Sequence, residues 1–160
     1  MNTTRLLMEE HQIILRALDV LESYATRGKQ PPPALIEFFS DFADAHHHGK
    51  EEEILFPALE EAGFPHDAGP VGVMLHEHKQ GRSLTAALRD PAQFTDAALV
   101  YAAMLRAHIE KENHILFPMA DRAVENQRRV DLAVEDFERE WAQRRKKHET
   151  AIAALAKELP

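Results

Sequence analysis

Cysteine is absent from the 160 residues of the chain. Its absence excludes disulfide bonds, thiolate-bound iron–sulfur clusters and cysteine nucleophiles. The chain also has no apolar run near the length of about 20 residues that a membrane-spanning helix requires, and the apolar stretch at its start is too short for a signal peptide. From these absences we expect a cytoplasmic protein.

Basic residues are in deficit, with 19 Lys and Arg against 27 Asp and Glu and a formal net charge of −8. Nucleic-acid backbones and anionic membrane surfaces repel such a chain, so we expect neither as a partner. Glycine is sparse, with 6 residues, and no stretch alternates cleanly between apolar and polar residues as a half-buried strand does. The chain is therefore predicted to be all-α.

Four consecutive segments, roughly residues 4–27, 33–62, 70–90 and 97–124, carry apolar residues at steps of three and four, the spacing of one helical face. The length allows one domain with a real core. We predict an antiparallel up-down-up-down four-helix bundle over residues 1–125. Residues 126–160 are predicted to form a helical extension that packs on the bundle or on a second copy of the chain, which leaves a homodimer open.

Histidine is frequent, with 10 residues, and much of it belongs to an internal repeat. Residues 47–57 and 108–118 both read His-x-x-Lys-Glu-x-x-Ile-Leu-Phe-Pro, and each is preceded by a Glu-His pair, at residues 10–11 and 77–78. Each proline falls inside a helical pattern, where it removes a backbone hydrogen bond. We expect a kink or short break at Pro57 and Pro118, at matching heights in the second and fourth helices.

The repeat duplicates a set of metal ligands. Residues four apart on a helix share a face, so the histidine and glutamate of each His-x-x-x-Glu pair can reach one site. Four imidazoles and two carboxylates are too many for one ordinary transition-metal ion but suit two ions that share bridging carboxylates. The candidate ligands are His11, His47, Glu51, His78, His108 and Glu112.

Three consecutive histidines, residues 46–48, precede the first carboxylate, and periodicity alone does not choose among them. The repeat selects His47, because the counterpart of His48 in the second half is Ile109. The same comparison selects Glu51 over its neighbour Glu52. On this interpretation His48 lies outside the site.

Three other side chains have two interpretations each. Tyr101 lies on the face of the fourth helix that carries a candidate ligand, where it lines the pocket or packs in the core. Arg82 directs its charge towards bound oxygen species or, as we favour, extends into solvent. His148 lies on the apolar stripe of the last segment, where a structural role is favoured over metal binding.

The two Glu-His pairs and the two His-x-x-x-Glu motifs that end in Leu-Phe-Pro resemble those of the hemerythrin-like (HHE) cation-binding domains, over about residues 6–119. The resemblance implies a four-helix bundle around a non-haem di-iron centre, with two iron ions bridged by carboxylates and an oxo or hydroxo group and zinc as an alternative occupant. It also implies that the six candidate residues are the ligands.

The chain departs from the oxygen-carrying hemerythrins on its third helix. Those proteins have a His-x-x-x-His pair there, whereas Met74 and Arg82 stand four residues before and after His78 in this chain. On this interpretation the chain is one histidine short, which leaves exchangeable positions on both ions and favours redox turnover. The six-residue set is similar to that of di-iron proteins that repair iron–sulfur clusters, but those usually carry a cysteine-bearing amino-terminal domain, so the absence of cysteine argues against that role.

The resemblance thus implies a protein that binds or senses oxygen, nitric oxide or iron. The alternative is a di-iron oxidoreductase that acts on peroxide or nitric oxide. In both cases the expected partner is a small diatomic molecule or peroxide.

Overall fold

The computed structural model describes all 160 residues, which form helices and connecting turns without any strand. The helices are α1 (Thr3–Thr26), α2 (residues 33–61), α3 (Gly69–Ala87), α4 (residues 94–123) and α5 (Gln127–Ala156). The predicted all-α class is confirmed. None of the helices combines the length and apolarity needed to cross a membrane.

The first four helices form the bundle. Helix α1 packs against α2 and α4, and α3 packs against the same two helices. The connections between consecutive helices are short, which makes them antiparallel neighbours. Helix α5 lies across α1 and α2 and so packs on the bundle of its own chain. The division of the chain at residues 125 and 126 into two parts stays a prediction.

Local chemistry accounts for where the helices begin and end. The Asn2 side chain accepts a hydrogen bond from the backbone N–H of Arg5 at 2.8 Å, and Asn126 caps α5 in the same way. Such a cap contributes about 1 kcal/mol. Gly28, with φ of 61°, follows the end of α1 in a conformation that a side chain disfavours.

Helices α2 and α4 contain π-helical segments: Phe39–His48, Glu51–Leu55 and Glu112–Leu116. The backbone N–H of Phe56 donates to the carbonyl of Glu51, and that of Phe117 donates to the carbonyl of Glu112, both five residues back. These wider turns come directly before Pro57 and Pro118. The irregularity that the prolines predict is therefore present at matching positions, but each helix continues through its proline and does not break.

The apolar core is divided into two clusters by a polar layer. The larger apolar cluster contains residues such as Leu18, Phe39 and Leu105, and the smaller apolar cluster contains residues such as Leu7 and Phe117. In each of the four bundle helices, the candidate ligands stand between residues of the two clusters. The bundle thus holds its histidines and glutamates in one layer, enclosed by apolar side chains on both sides.

Replacing Ile152 by alanine tests the packing of α5. Ile152 is 1% exposed within the larger apolar cluster, and such a truncation lowers the free energy of unfolding by about 2–5 kcal/mol. Leu132 of the same helix is 44% exposed, so Leu132→Ala serves as the control and should change little. Urea denaturation of both variants measures the difference; equal stabilities would contradict the docking of α5 on its own bundle.

Candidate metal centre

Seven buried side chains converge in the polar layer. In two overlapping sets, each residue offers a ligand atom within 4.8 Å of the others; the sets are His11, His47, Glu51 and Glu112, and His48, Glu51, His78 and His108. All are buried. The structure brings together all six candidate ligands and adds a seventh residue, His48.

Glu51 belongs to both sets. Its Oε1 lies 3.3 Å from Nε2 of His47, one turn earlier on the same helix, and its Oε2 lies 3.3 Å from Nε2 of His78 on α3. The carboxylate therefore stands between imidazoles of two helices, with one oxygen towards each. The two sets of side chains therefore meet at this carboxylate.

Glu112 repeats this arrangement in the second half. Its Oε1 lies 3.1 Å from Nε2 of His108 on the same helix, and its Oε2 lies 3.1 Å from Nε2 of His11 on α1. The two carboxylates are thus related by the same approximate symmetry as the sequence repeat. Each joins one imidazole of its own half to one of the other half.

Many of these donor atoms have no hydrogen-bond partner. Both oxygens of Glu51 and of Glu112, together with Nε2 of His78 and of His108, are buried, and the short distances between them do not have the geometry of hydrogen bonds. Each such atom costs about 1–3 kcal/mol when nothing satisfies it. Their concentration in one layer, with imidazole and carboxylate as the only donor types, fits a pair of transition-metal ions.

His48 corrects the interpretation of the sequence. Its ring stacks on that of His78, with centroids 3.9 Å apart, and lies 5.5 Å from that of His108. The physical reason is the π-helical segment that ends at His48: a wider turn rotates less per residue, so two consecutive side chains both face the bundle interior. The structure therefore places a fifth histidine in the layer, beside the four that the repeat selected.

The signal for His48 in the sequence was the run of three histidines itself. Comparison with the second half of the chain excluded His48 from the candidate ligands, because the repeat is imperfect at that position and Ile109 has no donor atom. His48 therefore breaks the symmetry of the layer. One set holds two imidazoles and the other holds three.

The glutamate of each Glu-His pair orients a histidine on another helix. His47 donates from Nδ1 to Oε2 of Glu10 at 2.8 Å, and His108 donates from Nδ1 to Oε1 of Glu77 at 3.0 Å. A carboxylate on the outer nitrogen fixes the ring and raises its basicity as a ligand. Spacing along the sequence does not predict this role of the two glutamates, although the duplicated Glu-His pair is their signal.

The residues that follow Glu51 and Glu112 lie behind two further imidazoles. Oδ1 of Asn113 lies 2.7 Å from Nδ1 of His11, and Oε2 of Glu52 lies 3.5 Å from Nδ1 of His78. The repeat thus places a polar group behind a histidine in both halves. Glu52 and its counterpart lie behind the ligands, outside the two sets.

The phenylalanine of each Leu-Phe-Pro triplet covers a histidine of the opposite half. Phe117 stacks on His11 with centroids 5.5 Å apart, and Phe56 stacks on His78 at 5.7 Å. Both phenylalanines follow a π-helical turn. The triplets therefore close the layer against water on the side of the smaller apolar cluster.

The carboxylates control the proton affinity of the imidazoles. Burial opposes a charge on His47, but the adjacent Glu51 raises its pKa to about 9. Glu112 likewise outweighs burial and raises the pKa of His108 to about 10. Burial lowers the pKa of His48 to about 3. A metal ion bound here would have to displace a proton from the rings of His47 and His108, whereas the lowered pKa of His48 favours its neutral form.

The structure distinguishes between the two interpretations of Arg82 and between those of His148. Arg82 pairs with Asp44 and Glu52 at the surface between α2 and α3, so its charge is not directed into the layer. His148 lies outside both ligand sets; its Nε2 is 2.6 Å from Oδ2 of Asp41. Its role is structural, as favoured.

Tyr101 satisfies both of its interpretations. Its side chain is buried in the larger apolar cluster and stands edge-on to Phe39. It also lines a small cavity together with His48, His78 and Gly81. Tyr101 therefore packs in the core and borders the side of the layer that carries three histidines.

The amino-acid sequence of the chain is similar to those of several known bacterial proteins. An uncharacterized protein of Mycobacterium tuberculosis is 31% identical over 131 residues, which cover 70% of this chain and 51% of that protein. The iron–sulfur cluster repair protein YtfE of Musicola paradisiaca is 37% identical over 90 residues, 48% of this chain and 40% of the relative. YtfE of Salmonella paratyphi B is 28% identical over 125 residues, which cover 68% of this chain and 56% of that protein.

The chain spans about half the length of these relatives. No solved structure is significantly similar to it. The family model of the hemerythrin HHE cation-binding domain matches residues 2–120, which include all seven residues of the polar layer. The chain therefore belongs to the hemerythrin HHE cation-binding family.

Proposed function

We propose that the chain binds two iron ions in this layer and uses them to bind or sense a small molecule, oxygen or nitric oxide, or iron itself. The observation that carries the proposal is the convergence of five buried imidazoles and two buried carboxylates with unpaired donor atoms. His11 and His47 would hold one ion, and His48, His78 and His108 would hold the other, with Glu51 and Glu112 contributing donors to both.

The donor count supports binding over turnover. Five imidazoles, and two carboxylates that each offer both oxygens, would supply most of the donors that two six-coordinate ions require. The side of His48, His78 and His108 offers one imidazole more than the side of His11 and His47, so an ion on the latter side would be more open to a small ligand. The inference that both ions keep exchangeable positions depended on the omission of His48.

A bound iron pair supplies redox chemistry and a Lewis-acid position for a small ligand. The chain supplies the enclosure and the orientation. Phe56 and Phe117 exclude water from one side, and Glu10 and Glu77 hold their histidines in one orientation. Rings held in this way lose little entropy when the metal binds.

The alternative function, a di-iron oxidoreductase that acts on peroxide or nitric oxide, has one observation in its favour. Burial, with the charge of Asp44, raises the pKa of Tyr101 well above its ordinary value. Its hydroxyl lies beside a small cavity bordered by His48 and His78, where it would donate a hydrogen bond to a small molecule. The raised pKa makes the hydroxyl a weaker acid, so it favours the orientation of a substrate there and not the transfer of its proton.

Cluster repair, the activity in the name of the relatives YtfE, is a weaker proposal for this chain. The chain has no cysteine with which to hold a cluster or its fragments.

Metal analysis of the purified protein, joined to an absorption spectrum for oxo-bridged ferric pairs, tests the proposal. We expect about two iron ions per chain, since the donor set matches two ions. The reduced protein is then titrated with oxygen, nitric oxide and peroxide. A saturable, reversible adduct supports binding, whereas steady consumption supports the oxidoreductase. A single zinc ion per chain, or no metal after growth in iron-rich medium, would overturn the di-iron proposal.

A further inference from the structure

A buried network of charges connects the metal layer to α5. Lys50 is 0% exposed, and its ammonium donates both to Glu10 of α1 and to Glu138 of α5. Arg145 of α5 lies with its Nη1 3.2 Å from Oε1 of Glu10 and 2.7 Å from Oε2 of Glu138. Glu10 is the residue that holds His47 through its other oxygen. The orientation of His47 thus depends on a carboxylate that two cations hold.

The network includes a third group of ligand-type side chains. Atoms of Glu10, His46 and Glu138 lie within 4.8 Å of one another. The ammonium of Lys50 contacts all three and lies 3.2 Å from Nε2 of His46. Because this ammonium supplies the positive charge that the carboxylates require, the group is an ion-pair network and not a third metal site.

The second half of the chain has no such network. Lys111, the counterpart of Lys50, pairs with Glu77, but its side chain is 41% exposed. The carboxylate of Glu77 forms hydrogen bonds and ion pairs with His108 and Lys111, and with no residue of α5. The two imidazoles oriented by glutamates therefore differ: the partner of His47 is buried and fixed by α5, whereas the partner of His108 is near solvent.

We propose that Glu138 and Arg145 are positioning residues for the metal centre, which hold Glu10 and through it the ring of His47. Helix α5 lies beyond the residues 2–120 that the family model matches, so Glu138 and Arg145 act on the centre from outside the matched region. The inference rests on the proposed function for its metal readout, but the contact it describes exists in the protein without metal as well.

The physical reason is electrostatic. Glu138 shares the charge of Lys50 and Arg145 with Glu10. In a variant with a neutral side chain at this position, Lys50 and Arg145 form ion pairs with Glu10 alone and neutralise more of its charge. The Glu10 carboxylate then becomes a weaker hydrogen-bond acceptor for the Nδ1 proton of His47. His47 then becomes a weaker and less well-oriented ligand, while His108 is unaffected. Changes in the residues behind a ligand typically cost 10–100-fold in metal affinity.

The full-length variant Glu138→Gln tests this directly, because the amide keeps the size of the side chain and one acceptor oxygen but removes the negative charge. In the iron-loaded protein, we expect one of the two ions to be released to a chelator about tenfold faster, with the other unchanged. The Mössbauer spectrum of protein loaded with the isotope ⁵⁷Fe should change in one of its two signals. Arg145→Gln should act on the same signal.

Matched controls use exposed residues of the same helix. Glu140→Gln and Arg139→Gln make the same changes of charge at exposed positions and should leave both ions unchanged. Glu77→Gln should change the other Mössbauer signal, because Glu77 holds His108. Thermal unfolding of every variant shows whether an effect follows stability alone. Equal effects of Glu138→Gln on both ions, or none on either, would overturn the inference.

A measurement without metal separates this inference from the proposed function. In the apo protein, the Nδ1 proton of His47 should give a hydrogen-bonded imidazole signal in ¹⁵N–¹H NMR spectra. We expect Glu138→Gln to shift this signal and Glu140→Gln to leave it in place. If the protein binds no iron but the signal shifts, the proposed function fails and the positioning role stands. An unchanged signal would refute the positioning role whatever the metal content.

Discussion

Replacement of Glu51 by alanine is expected to remove both metal ions at once. Glu51 is the residue common to the two ligand sets, with one oxygen towards His47 and the other towards His78. Removal of a ligand that serves one ion would release that ion alone. Removal of a carboxylate shared by the two ions weakens the binding of both. Iron should fall from about two ions per chain to nearly none, measured by metal analysis and by loss of the oxo-bridge absorption.

The neighbouring Glu53→Ala variant is the control, because Glu53 is exposed and lies outside both ligand sets. It should retain both ions. Circular dichroism of the two variants shows whether the helices persist, since metal loss also removes the stabilisation that a bound ligand gives. Glu112→Ala should resemble Glu51→Ala. A folded Glu51→Ala protein that holds two iron ions would contradict the bridging role.

The second strong effect is expected from His48→Ile. This substitution introduces the residue that the second half carries at the equivalent position, Ile109. If His48 completes the set of three imidazoles with His78 and His108, the ion on that side loses a ligand. Iron should then fall from about two ions to about one per chain, and the remaining ion should lose the absorption of an oxo-bridged pair.

An exposed histidine provides the comparison. His76→Ile removes an imidazole from the surface of α3 and should leave the iron content unchanged. The packing of the His48→Ile protein is checked by its urea denaturation curve in the presence of a chelator. A His48→Ile protein with two ions and an unchanged spectrum would show that the six-residue ligand set of the repeat is complete without His48.

The contrast between His47 and His48 shows where inference from sequence stops. The i, i+4 spacing of His47 and Glu51 is a local property of a helix, so the repeat was sufficient to select them. Their convergence with His11 and His78 followed from the antiparallel bundle. His48 required knowledge of the turn, because a π-helical segment has a different periodicity from the α-helix that the pattern assumed.

The residues behind the ligands illustrate a second limit. Glu10 and Glu77 were visible in the sequence as parts of the repeat, but each hydrogen-bonds a histidine of a different helix. No spacing along one helix predicts a contact between two. The same applies to Phe56 and Phe117, whose triplets predicted an irregular helix but not the histidines that they cover.

The sequence by itself determined the helical class, the internal repeat, the family resemblance and six side chains of the polar layer, because each of these depends on composition or on short-range periodicity. Only the tertiary structure decided the place of His48, the residues that orient the imidazoles and the side of the bundle on which α5 docks. These depend on how helices pack and on where a helix departs from regular geometry. The asymmetry of the centre belongs to this second group, since the extension of the chain reaches His47 through Glu10 and does not reach His108.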